Sequence, residues 1–164
     1  MRFCHLDRIC SYTPGAELTA IKNVSLAEEY LADHFPEFPV LPGVFMVEAA
    51  TQAGAWLLRL TDGYAHSIIT LAEARAVKFA GFVAPGHALR MTVTVTKREG
   101  PRTTLKFQGE VDGRACVSGR VTLDSANLAD ERPDMAALDA RMIERQRELE
   151  AALLQRTGDA VPTP

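Results

Sequence analysis

The chain has 164 residues, 47% hydrophobic and 24% charged, with a formal net charge of −3, the profile of one ordinary globular domain with its own core. No apolar run is long enough to span a bilayer, the first residues lack the apolar stretch and small-residue cleavage site of an export signal, and a net-negative chain lacks the broad basic face that nucleic acid requires. These exclusions lead to the expectation of a cytoplasmic protein with no membrane and no nucleic-acid partner. The cysteines Cys4, Cys10 and Cys116 have spacings that match no zinc or redox motif and read as reduced thiols. Cys4 and His5 fall on alternating faces of an extended segment, so no metal site is expected there.

Residues 2–25 read as two short strands around Thr13-Pro14-Gly15, because proline presets the φ of a turn and glycine accepts the positive φ that follows. A helical turn over residues 26–31 leads into a stretch stiffened by Pro36, Pro39 and Pro42, which can be neither regular helix nor central strand. Pro42-Gly43 opens an apolar helix over residues 44–60, interrupted only by Glu48, Thr51, Gln52 and Arg59. A helix of that composition is expected to be buried nearly all round.

From Ser67 the period changes to two, most clearly where Leu89, Met91, Val93 and Val95 alternate with Arg90, Thr92, Thr94 and Thr96. Gly100-Pro101 and Asp112-Gly113 separate that run from strands at 103–111 and 114–124, which gives an antiparallel meander. One greasy helix and a sheet with one apolar face bury each other when the sheet curls around the helix, an α+β architecture. Beyond Asp130 the composition turns charged, with Met135, Leu138, Met142, Leu149 and Leu153 near helical spacing. The expected division is a main domain over 1–127, an amphipathic helix within 128–157 that packs on its own domain or a neighbour, and a flexible tail over 158–164.

The chemistry concentrates in residues 33–52. Glu48, set among Val44, Phe45, Met46, Val47, Ala49 and Ala50, is expected to meet desolvation that disfavours its charged form, which suits a general acid. Its plainer reading is an exposed stripe or a bridge to a basic side chain. His34 lies in the proline-stiffened loop that feeds the helix start, where unpaired N–H groups favour negative charge; a histidine in a loop is also commonly just solvated or hydrogen-bonded. Proton removal next to a thioester builds enolate charge on its oxygen, and a preorganised N–H at Gly43 stabilises charge there. Base, acid and oxyanion donor are thus all available within one short stretch.

His34-Phe35-Pro36, Pro39, Pro42-Gly43-Val44, Glu48-Ala49 and Gln52, continued by Ala76-Val77-Lys78-Phe79 and Pro85-Gly86, closely resemble the β-hydroxyacyl-acyl carrier protein dehydratases of the FabZ type over about residues 5–124. The resemblance implies a hot-dog fold, an antiparallel sheet wrapped around one long central helix, to which this chain adds a C-terminal helix. It implies a homodimer, with a trimer of dimers as the larger assembly, and an active site across the dimer interface with His34 from one subunit and Glu48 from the other. It also assigns the Gly43 amide to the thioester carbonyl and the Val40 carbonyl to orienting His34. The implied reaction is cofactor-free, reversible loss of water from a (3R)-hydroxyacyl thioester carried by acyl carrier protein or coenzyme A, giving the trans-2-enoyl thioester.

Gln52, one helical turn beyond Glu48, is placed to orient it or to make an unrelated capping bond. Phe38, Phe45, Phe79 and Phe82 are candidates for an apolar acyl tunnel and equally readable as core. The chain departs from the family where Asp33 replaces the glycine before the histidine, where Ala80-Gly81-Phe82 replaces basic residues and proline, and where His87 stands for aspartate. Arg75, Lys78, Arg90, Lys97, Arg98 and Arg102 are candidates for docking an acidic carrier. Two other functions remain open on the same fold: an acyl thioesterase, which would not need His34, and a non-catalytic acyl-binding or scaffold subunit.

Overall fold

The computed structural model describes residues 4–154. Six strands, β1 (Arg8–Thr13), β2 (Glu17–Asn23), β3 (Ile68–Phe79), β4 (Ala88–Glu99), β5 (Arg102–Val111) and β6 (Arg114–Ala126), form one antiparallel sheet in the order β1-β2-β4-β5-β6-β3. Helix α1 (Gly43–Thr61) lies in its curve and touches five of the strands, and helix α2 (Ala136–Leu153) follows the sheet. This is the α+β, sheet-around-helix arrangement that the alternating pattern predicts.

Alternation explains which face is buried. Leu18 and Ala20 of β2, Leu89, Met91 and Val93 of β4, Leu105 and Phe107 of β5, and Val121 and Leu123 of β6 all point inward and are buried. They meet a helix face of small residues, Ala49, Ala50, Ala53 and Gly54. A Cβ on Gly54 would lie 2.9 Å from Leu123 Cδ1, so glycine sets how closely sheet and helix approach.

Four features differ from the sequence expectations. The helical turn expected at 26–31 is a 3-10 turn at Glu29–Ala32, held by a bond from Leu31 N–H to the Glu28 carbonyl. β3 is not the neighbour of β4. It crosses to the far edge beside β6, because residues 80–87 make an irregular return past the start of α1, where Leu41 N–H donates to the Val83 carbonyl over 2.8 Å. Nor is α1 buried all round: Ala53 to Leu58 are, but Val44 is 69% exposed and Phe45, Val47 and Glu48 are half-buried. The long edge strand β3 is mostly exposed on both faces, and its outer backbone has no strand partner among the described residues.

The fourth difference is the docking stripe of α2. The apolar spacing suggests Met135, Leu138, Met142, Leu149 and Leu153; of these Leu153 is buried and Leu149 packs on the core, but Asp139, Ile143, Gln146 and Glu150 share the inward face with them. Part of the surface it meets is polar. The Asp139 carboxylate accepts from the Ser67 hydroxyl and from Leu128 and Ala129 N–H (3.0 and 2.9 Å), Gln146 Nε2 donates to the Ser67 carbonyl, and the Tyr64 hydroxyl donates to Glu150 over 2.6 Å. The expected tail over 158–164, and the end of the 128–157 segment, lie outside the described residues.

Candidate active site

The His34 loop is tied down at several points. His34 N–H donates to the Tyr30 carbonyl over 3.1 Å and Phe38 N–H to the Phe35 carbonyl over 2.7 Å. Upstream, the buried Lys22 ammonium bonds Glu28 over 2.7 Å, fixing the 3-10 turn that carries Tyr30. Phe35 adopts φ 55, a left-handed conformation that a bulky side chain rarely takes. His34 Nδ1 lies 3.1 Å from the carbonyl oxygen of Val40. A carbonyl only accepts, so Nδ1 carries a proton, and in the neutral ring the lone pair is on Nε2, the tautomer a proton acceptor needs.

Val40 and Leu41 are buried and Pro42 caps α1, whose first bonds run from Phe45 and Met46 N–H to the Pro42 carbonyl. The Gly43 N–H therefore belongs to the first helical turn, where no intrahelical acceptor exists. Phe79, at the end of β3, lies against Gly43: a Cβ there would sit 2.9 Å from Phe79 Cε1 and 3.0 Å from Cζ. Any larger residue at 43 would have to push that ring aside.

Glu48 lies further along the same open end. Its Oε1 accepts from Gln52 Nε2 over 2.8 Å, and Gln52 Oε1 accepts from the His5 backbone N–H over 2.8 Å. His5, 4% exposed, stacks on Phe45 with ring centroids 4.6 Å apart. Burial, aided by nearby Lys22, lowers the His5 pKa and so favours its neutral form, while the Glu48 charge pulls weakly the other way. His5 is the residue that sequence reasoning missed, since nothing in the spacing of residues 5 and 52 announces their bond. Among the described residues no hydrogen bond or ion pair joins His34 to Glu48 within the chain.

The four aromatic candidates separate. Phe38 and Phe82 meet edge to face, centroids 5.4 Å apart, and with Phe35, Pro36 and Glu37 line an open, largely apolar hollow of about 600 Å³. Phe79 covers Gly43 instead, and Phe45 packs between His5 and Tyr30. Of the basic candidates, Arg75, Lys97, Arg98 and Arg102 are engaged by Glu73, Glu99, Asp62 and Asp124, while Lys78 and Arg90 make no ion pair among the described residues.

Residues 1–120 match the model of the FabA-like domain. A 3-hydroxyacyl-[acyl-carrier-protein] dehydratase FabZ of Streptococcus agalactiae is 38% identical over 122 residues, 74% of this chain and 86% of the relative. The enzyme of the same name from Janthinobacterium sp. is 33% identical over 131 residues, 78% and 84% of the two chains. Among solved structures, a chain of the dehydratase heterocomplex ApeI:P from Xenorhabdus doucetiae superposes with a TM-score of 0.66 at 18% identity, over 81% of this chain and 90% of that one. AziG of S. sahachiroi gives 0.57 at 14% identity, over 74% and 91%.

Proposed function

The chain belongs to the FabA-like family, and from that premise we propose that it dehydrates (3R)-hydroxyacyl thioesters reversibly to trans-2-enoyl thioesters, in fatty-acid or related lipid or polyketide synthesis in the cytoplasm. His34 Nε2 takes the C2 proton, the C2–H electrons form the new double bond, and the C3–O bond breaks as Glu48 protonates the departing hydroxyl to water. The two groups start in opposite protonation states and exchange them in each turnover. Negative charge that develops on the thioester oxygen meets the Gly43 N–H at the positive end of α1. The acyl chain takes the apolar surface of Phe38, Phe79 and Phe82, and Phe45 backs that surface from the core.

One observation carries this reading. A single chain holds an imidazole with a fixed tautomer and a tethered carboxyl at the same open helix end, with no bond between them and an unpaired strand edge alongside. A second copy pairing along β3 supplies the missing half: His34 acts with the partner subunit's Glu48, and twofold symmetry makes two such sites. Of the six candidate cations, Lys78, beside Phe79, and Arg90 make no ion pair among the described residues and are the ones to meet an acidic carrier.

Enoyl-thioester absorbance with a hydroxyacyl substrate tests the assignment. His34→Ala and Glu48→Gln should each lower kcat by roughly 10²- to 10⁴-fold. When the two inactive chains are unfolded together and refolded, random pairing should restore about one quarter of wild-type activity, because half the dimers hold one intact site. A mixture that stays as inactive as its components would sink the shared site.

A further inference from the structure

β2 turns Leu18, Ala20 and Lys22 to its inward side, and the first two enter the core as alternation requires. Lys22 follows them in, with a side chain only 7% exposed. An ammonium taken out of water needs a counter-charge. The groups around it are the Glu28 carboxylate, whose Oε1 lies 2.7 Å from Nζ, the Asp7 carboxylate at 4.0 Å, and the His5 imidazole. Asp7 also accepts from Asn23 N–H over 2.6 Å, so Glu28 is the main partner. Burial alone would raise the Glu28 pKa, but the Lys22 ammonium and the Tyr30 hydroxyl beside it more than reverse that and hold it below its ordinary 4.5.

A buried pair of this kind adds little net stability, since apolar side chains of the same size often do as well. Its place in the chain points to another use. Glu28 heads the 3-10 turn Glu29–Ala32, which is too short to persist on its own hydrogen bonds. From that turn the Tyr30 carbonyl holds the His34 N–H, while the Val40 carbonyl holds the His34 ring. Phe35, the next residue, keeps its left-handed φ only where its surroundings fix it.

We infer that Lys22 and Glu28 are positioning residues for His34: the pair ties the 3-10 turn to β2 and so sets the backbone from which the imidazole projects. The inference rests on the dehydration proposed above. Neither side chain touches substrate, and both act through the Tyr30 carbonyl.

Lys22→Met leaves the Glu28 carboxylate without its cation. At neutral pH its kcat should fall about tenfold with KM within about twofold, and melting scans should show a cooperative fold. Burial, no longer opposed, then lets Glu28 take up a proton more readily, so the variant-to-wild-type kcat ratio should climb as pH falls toward about 5. Lys22→Met combined with Glu28→Gln strands no charge. That chain should melt at or near the wild-type temperature yet keep a kcat roughly fivefold low, with a ratio independent of pH. Wild-type kcat in the double variant would overturn the inference, because the pair would then serve folding alone; so would a Lys22→Met loss confined to KM or to melting temperature. Acid recovery that survives in the double variant would move the titrating group to His5 or Asp7 and break the link through Glu28. His34→Ala is measured alongside: if it stays active, the dehydration reading itself falls, whereas a fault confined to Lys22 and Glu28 leaves that reading standing.

Discussion

At its C-terminal end α1 runs into a region that the chain closes for itself. Tyr64 bonds Glu150, Arg147 lies over the Tyr64 ring, Asp139 gathers one hydroxyl and two backbone N–H groups, and Leu153 is buried beneath. At its N-terminal end the same helix leaves Val44 exposed, with Phe35, Phe38, Phe79 and Phe82 exposed around it. Burial and hydrogen bonding finish one end, while the other presents apolar surface, a strained Phe35 and an unpaired edge strand. The contrast separates two kinds of contact: those that serve the stability of one chain and those that keep a reacting surface open for substrate and a second subunit.

Substitutions at the two ends should therefore fail differently. Outside the catalytic pair, the largest effect is expected at the open end from Gly43→Ala, whose Cβ must displace the Phe79 ring. Misplacing the oxyanion donor and its cover should cost kcat tenfold or more, and Phe79→Ala in the same chain should recover part of it. If Gly43→Ala instead left kcat intact and lowered only the melting temperature, the open end would be structural like the other.

At the closed end the expected loss is of stability. The Asp139 pKa is held below its ordinary 3.8, chiefly by the Ser67 hydroxyl and then by the Ala129 and Leu128 N–H groups. A depressed folded-state pKa gives stability that is complete above the unfolded value and disappears as pH falls through the folded one. Asp139→Asn should thus lower the melting temperature at neutral pH, with kcat within about twofold of wild type. The gap in melting temperature should stay constant from neutral pH to about pH 5 and narrow progressively as pH falls toward and below 3.8. A gap undiminished at about pH 3 would mean that the carboxylate charge does not hold α2.

The smallest change is expected from Tyr64→Phe, which removes one hydrogen bond to a carboxylate at the rim of the same region. About 1 kcal/mol of stability should be lost, read from denaturant midpoints at constant m. A loss several times larger would show that Glu150 is left without any other partner.

Much of this was legible in the residues. Alternation in β4 assigned the inner face, Pro14-Gly15 and Asp112-Gly113 located two hairpins, and Pro42-Gly43 marked the start of α1. His34, Gly43 and Glu48 could be picked out because they lie within one stretch of 15 residues, on one loop and one helix. The partners that fix them are spread differently. Val40 is close in sequence to His34, but the bond from His5 to Gln52 joins positions 47 residues apart.

What the sequence by itself determined was local and periodic: which residues face inward, where the chain turns, and which short stretch carries the chemistry. Its limits show at α2, where counting apolar residues found Leu149 and Leu153 but not the polar contacts beside them, because only the donors and acceptors of the surface being met could select Asp139, Gln146 and Glu150. They show again at β3, whose move to the far edge depends on how the whole sheet closes around α1. Tertiary structure alone decided these points, since hydrogen-bond sense and edge position depend on neighbours that periodicity does not encode.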